Sequence, residues 1–187
     1  MNDFNDDLQV EDILEHHTKK KRVNGKSKGN RTELHLCKML TKHFGDEFSR
    51  ALGSGARTSQ VAYLPEHAKK TLTGDICVPE NFKWVIECKG GYEDDMHLEN
   101  ILNGDEGLSR LDEFIEQVSK DAEYCGRKPI ILWKRNRKPW IAMIKTTEHD
   151  TSAWECVIKY RDWNILNFEQ LLNHTTKEFW FDGTKEN

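Results

Sequence analysis

Thr73-Gly-Asp-Ile-Cys-Val-Pro-Glu-Asn-Phe-Lys-Trp-Val-Ile-Glu-Cys-Lys-Gly-Gly91 decides how this chain is read. The stretch has the look of two short strands joined by a turn. Side chains alternate faces along a strand, so Glu87 and Lys89 point one way and Cys88 the other. Asp75 heads the preceding strand and is expected to bring a second carboxylate to the same spot. Two carboxylates and an ammonium at the edge of an apolar sheet are costly unless something pairs them. A divalent cation carrying a phosphate and an attacking water would do so.

Working outward, 187 residues are enough for one domain with additions and a real core. Six Trp and eight Phe argue against general disorder. No apolar run is long enough to span a bilayer. The N-terminus, Met-Asn-Asp-Phe-Asn-Asp-Asp, lacks the apolar core of a signal peptide, so a cytoplasmic location is expected. Five scattered cysteines (Cys37, Cys77, Cys88, Cys125, Cys156) without a CxxC pair read as reduced thiols rather than a zinc site.

A net charge of -4 does not suggest a nucleic-acid partner, but its distribution does. Lys19, Lys20, Lys21, Arg22, Lys26, Lys28 and Arg31 form a run with no acid among them. Arg127, Lys128, Lys134, Arg135, Arg137 and Lys138 form another. Acid gathers between Asn2 and Glu15 and between Glu93 and Asp105. A lone basic run is ordinary solvated surface; two beside a carboxylate cluster point to a phosphate backbone.

Residues 1–30 read as an arm, acidic then basic, and mobile when unbound. Residues 31–146 form the core, with 92–107 as an acidic loop insertion, and 147–187 a C-terminal extension packed on it. Leu34, Cys37, Leu40 and Phe44 recur at helical spacing over Arg31–Phe44. Glu47–Leu52 reads as a strand, and Gly53–Gly55 as a loop. Leu108, Leu111, Ile115 and Val118 mark the buried face of a helix over Leu108–Tyr124. Pro129–Trp133 and Trp140–Ile144 form a hairpin through a basic turn. Strands at Trp154–Tyr160 and Trp163–Leu166 and a helix at Phe168–Asn173 complete the chain. The order predicts an α/β or α+β sheet flanked by helices.

As chemistry, Asp75 and Glu87 suit a hard cation such as Mg²⁺, with a backbone carbonyl of Cys88, or else Ile86, beside them. Lys89 would orient the water or hold the scissile phosphate. The plainer account makes Asp75 a turn residue and Glu87–Lys89 a surface ion pair worth at most about 1 kcal/mol.

The Asp75 and Glu87-Cys88-Lys89 spacing resembles the PD-(D/E)XK nuclease superfamily, with Gly74 in place of its proline. Arg31-Thr-Glu33 opening a helix, Arg50-Ala-Leu-Gly-Ser54-Gly55, the Gln117 helix, Gly126–Lys134 and Lys138–Ile144 are similar to archaeal-type Holliday junction resolvases. The likeness covers Lys26 to Lys145 and implies an α/β, restriction-endonuclease-like fold with a mixed central sheet. It implies that Glu33, Asp75, Glu87 and Lys89 are catalytic or metal-binding, with Ser54 near the centre. Mg²⁺, replaceable by Mn²⁺, would sit on Glu33, Asp75, Glu87 and the Cys88 carbonyl. DNA contacts are expected from Lys26, Lys28, Arg31, Arg50, Arg57, Gln117, Lys134, Arg135, Arg137 and Lys138. The implied activity is metal-dependent cleavage of branched DNA by a homodimer. The long Ser54–Gly74 segment and the part after Asp150 depart from a minimal resolvase. They leave open a restriction-like or DNA-processing nuclease of the same fold, while a binding module with structural carboxylates is a rival of another class.

Overall fold

The computed structural model describes residues 25–51, 65–92, 109–152, 154 and 156–183. Helix α1 (Gly25–Phe44) is followed by strand β1 (Ser49–Arg50), α2 (Glu66–Leu72), β2 (Ile76–Cys77) and β3 (Trp84–Gly90). Then come α3 (Ser109–Cys125), β4 (Lys128–Lys134), β5 (Trp140–Lys145), β6 (Ile158–Tyr160), β7 (Trp163–Asn167), α4 (Phe168–His174) and α5 (Lys177–Trp180).

Five strands form a mixed sheet in the order β3-β4-β5-β7-β6. β3 and β4 run parallel, with Glu87 opposite Ile131 and Lys89 opposite Trp133. The remaining pairs are antiparallel. β4 and β5 are buried along nearly their whole length, as their unbroken apolar sequences require. The alternation of strand residues splits the core in two. Trp84, Ile86 and Cys88 pack under α1 with Leu36, Cys37 and Leu40. Val85, Ile131, Trp133 and Met143 pack under α3 with Leu111, Phe114 and Val118.

The mixed sheet between helices is the architecture the sequence implies, with three differences. First, β2 and β3 do not form a hairpin: β2 pairs with β1 in a separate two-stranded sheet, antiparallel, with Arg50 opposite Ile76. The Asp75 turn needs only a touch on β3 to place its carboxylate. Second, α1 begins at Gly25 rather than Arg31, so the last residues assigned to the arm are helical. Third, the part beyond residue 147 goes further than packing on a core, because β7 lies inside the sheet, paired with both β5 and β6. Its end closes the far side: Lys83 N–H donates to Trp180 O at 2.8 Å, and Asp182 N–H to Asn81 O at 2.8 Å.

No disulfide joins the five cysteines. Among the described residues, no helix is long and apolar enough to cross a membrane. Ser54, Arg57, the first 24 residues and 93–108 of the acidic loop lie outside the described residues.

Candidate active site

The C-terminal end of β3 gathers the charged side chains. Gly74 sets the approach. Its φ is +87°, and a Cβ there would lie 2.8 Å from Ile86 O and 2.9 Å from Val85 Cγ2, so only glycine passes. The chain then runs flush against the strand. Asp75 N–H donates to Ile86 O at 3.0 Å, and Ala51 N–H donates to Asp75 O at 2.9 Å. The Asp75 carboxylate accepts from Cys88 N–H at 2.9 Å. Backbone and side chain therefore both hold this aspartate beside Glu87.

Glu87 faces α3 and is 1% exposed. Neither carboxylate oxygen makes a hydrogen bond of ordinary geometry; Oε1 is in ion-pair contact with the Lys89 ammonium. Burial, with the Asp75 charge added, pushes the Glu87 carboxyl up to about 8. Burial also raises Asp75, against the Cys88 N–H and Lys89, which lower it. Ionised carboxylates offer each other no donor, so a proton or a cation is needed to join them.

Lys89 is boxed in. Its ammonium donates to Gln117 Oε1 at 3.1 Å and lies 4.8 Å from the centre of the Phe114 ring. Burial would lower this amine's pKa, but Glu87 and Asp75 outweigh it and raise it. One turn beyond Gln117, on the same side of α3, stands half-buried Asp121, raised by burial and lowered by Lys89. Sequence reading passed over Asp121. Its signal was the four-residue step from Gln117 on a helix that faces Glu87 and Lys89.

Glu33 arrives from the other face. Gly90 seats α1: a Cβ on it would sit 2.5 Å from Thr32 Oγ1, so helix and strand touch here. Glu33 is buried and bound by Arg50, whose Nε lies 2.7 Å from Oε2 and whose Nη2 donates to Asn30 at 2.8 Å. Arg50, read above as a DNA contact, is thus committed to Glu33 and Asn30. Among the described residues, no three His, Cys, Asp or Glu side chains close into a ready metal-binding set. Asp75 and Glu87 are neighbours; Glu33 stays on its arginine.

The basic residues divide by position. Lys134 ends β4 beside Gly90, with its ammonium on the Lys138 carbonyl and 6.0 Å from the Trp140 ring centre. Arg135 lies 5.1 Å over the Trp133 ring. Arg137 and Lys138 are exposed in the turn. Arg31 is exposed on α1 and Lys28 half-exposed; Lys26 belongs to the same helix. Gln117 is exposed yet reaches Lys89.

Comparison with known proteins gives the family. The family described as "Phage putative PDDEXK endonuclease" matches residues 24–181. The chain belongs to this phage PDDEXK endonuclease family. Protein D14 of Escherichia phage T5 is 28% identical over 166 residues, which cover 83% of this chain and 96% of that protein. No solved structure matches. Family membership makes the protein a nuclease of the PD-(D/E)XK superfamily. The match extends past the sheet's last strands to Phe181, so the C-terminal part belongs to the family as well as to the fold.

Proposed function

We propose that this nuclease hydrolyses DNA phosphodiesters with a divalent metal, and that branched DNA, a four-way junction above all, is its substrate. One observation carries the metal dependence: Glu87 is buried beside Asp75 with oxygens that lack hydrogen bonds. Hard oxygen donors left short of partners fit Mg²⁺, or Mn²⁺ in its place. Asp75 and Glu87 would hold it. Of the two candidate carbonyls, that of Ile86 is already engaged by Asp75 N–H, which favours Cys88. Glu33 would join by releasing Arg50. When bound, the metal would supply a water of lowered pKa and offset charge at phosphorus.

The chain's own residues do the rest. Lys89, kept protonated by Glu87 and held by Gln117, aims its ammonium at the attacked phosphate or the attacking water. Lys26, Lys28 and Arg31 on α1, with Lys134, Arg135, Arg137 and Lys138 around the β4–β5 turn, grip backbone without reading bases. Ser54 and Arg57 are assigned here by resemblance alone. Symmetric cutting of a junction needs two sites, hence a homodimer.

The test is a labelled four-way junction beside linear duplex, single strand and flap, with Mg²⁺ and with EDTA. Paired cuts at the branch, lost in EDTA and in Glu87→Ala, are expected. Equal cutting of every substrate would remove the junction preference. No cutting of any, with metal present, would favour the binding-module reading.

A further inference from the structure

The outer face of α1 is a row of cations that the catalytic edge does not explain. Relative to the buried Leu36, Cys37 and Leu40, the opposite side of the helix carries Lys28, Arg31, His35, Lys38 and Lys42. At 100° per residue these five fall within an arc of about 80°, centred away from the core. They run for about 21 Å along the axis at 1.5 Å per residue. The helix has a single acid, Glu33, and it is buried against Arg50 on the other side.

Such a row is unfavourable for a helix on its own. Like charges three and four residues apart repel, and this face has them at Lys28–Arg31 and at Lys38–Lys42. The first turn holds no acid and two lysines, the reverse of what the macrodipole favours. The dipole accounts for Lys42 in the last turn, but not for Arg31 or Lys38. Several surface cations elsewhere have acidic partners, whereas among the described residues Arg137 and Lys138 of the β4–β5 turn have none. Lys120 pairs with Glu116, Arg110 with Glu113, Lys128 with Glu148 and Arg161 with Asp112. Among the described residues, Arg31, Lys38 and Lys42 have none.

The row is also continuous with the catalytic edge. At its near end Thr32 touches Gly90. In its middle the His35 ring lies 5.9 Å from Trp140, the same indole that lies under the Lys134 ammonium. A cationic surface thus leads from the β4–β5 turn, past the carboxylates, and out along α1.

We propose that this face is a track for the phosphate backbone of duplex DNA extending away from the cut, with Lys38 and Lys42 as its outer contacts. The inference rests on the nuclease reading above and adds to it a second, non-catalytic contact region. A regular polyanion is the partner that answers four cations in a line. An anionic lipid surface fits less well, since Leu34 is the large apolar side chain left exposed among the described residues.

The experiment compares the full chain with the Lys38→Glu/Lys42→Glu variant, and with Lys120→Glu/Lys159→Glu as a charge-matched control on other faces. Binding of a fluorescent four-way junction and of a 30-base-pair duplex (~30, a length of about three helical turns) is measured in EDTA across a salt series. Cleavage is measured with Mg²⁺ at saturating enzyme in a single turnover. The outer-face variant is expected to bind about tenfold more weakly. Its slope of log affinity against log salt should be shallower by about 2, one for each lost phosphate contact. Its saturated cleavage rate should stay within about threefold of the parent, which separates a contact from catalysis. Lys38→Gln/Lys42→Gln should lose the same slope with a smaller loss of affinity. Parent-like affinity and slope in the outer-face variant would overturn the track, as would an equal loss in the control. Binding that depends on Lys38 and Lys42 in a parent protein that cuts nothing would leave the track standing and sink the nuclease mechanism. Cleavage with binding indifferent to them would do the reverse.

Discussion

Strand β3 has one buried charge packed beside its start and another at its centre. Near its start, Arg127 is 9% exposed beneath the turn before the strand. Its guanidinium donates to the carbonyls of Phe82, Pro79 (3.3 Å) and Glu80 (3.2 Å), leaving only Nε unmatched. At its centre, Glu87 is 1% exposed, and its oxygens have an ammonium for company and no hydrogen bond. Burial acts against both charges: it lowers Arg127 and raises Glu87. The difference lies in what answers the cost. The arginine spends its donors on carbonyls that need partners, and so ties a loop to the sheet. The glutamate has no comparable set of hydrogen-bond partners among the described residues.

The sharpest way to break this comparison is Glu87→Gln. Cleavage should fall by at least about a thousandfold, since the charge proposed to hold the metal is gone. In EDTA at pH 8 the same variant should melt higher than the parent, by about 4–8 °C. Replacing a strained buried charge with a neutral isostere is worth ~2 kcal/mol, and each kcal/mol moves Tm by ~2–4 °C at this size. A lower Tm with activity kept would show that Glu87 is structural.

Arg127→Met should do the opposite. Three carbonyls lose their donor at ~1 kcal/mol each, so Tm should drop by about 6–12 °C. The cleavage rate per folded molecule, measured well below the transition, should be unchanged. A rate loss exceeding the unfolded fraction would tie the two buried charges together.

pH sharpens the contrast further. Glu87 has its ordinary value of 4.5 when unfolded and about 8 when folded. A carboxyl with a raised pKa binds its proton more tightly in the fold. The stability it contributes is full below about pH 4.5 and is lost as pH rises through about 8. Urea unfolding in EDTA should therefore show the parent weakening across that window and Glu87→Gln weakening less. Added Mg²⁺ should restore the parent most at the alkaline end and leave Glu87→Gln little changed.

The smallest effect belongs to Gln117→Ala. Lys89 keeps Glu87 and the Phe114 ring, so saturated cleavage should fall by about tenfold or less, the worth of one ordinary hydrogen bond. The thermal midpoint should shift by under about 1 °C, because Gln117 is exposed. A loss as large as that of Glu87→Gln would make Gln117 part of the reacting centre.

Much of the scaffold was legible. The apolar runs of β4 and β5 and the basic turn between them announced a hairpin, and the helical stripe through Cys37, Leu40 and Phe44 announced α1, although Leu34 stands exposed and Leu36 takes its place in the core. Local patterns survive folding when one buried face imposes them. The pairing of β2 with β1 did not show, because two-residue strands leave no period to read. Nor did the placement of β7 between β5 and β6, a choice among several possible neighbours. Asp121 and Arg50 look like any other surface charges until the elements that carry them are packed.

The chain alone determined that Glu87 and Lys89 share a side of their strand, since the pleat permits nothing else. It also supplied a glycine before Asp75, the one residue able to take that backbone and that clearance. Tertiary structure decided what these groups meet: Gln117 and Phe114 around Lys89, Arg50 on Glu33, and Asp75 bonded to the Cys88 amide. The reason is separation along the chain. Contacts between residues 13 to 28 positions apart depend on how helices and strands pack, and no short-range pattern encodes that packing.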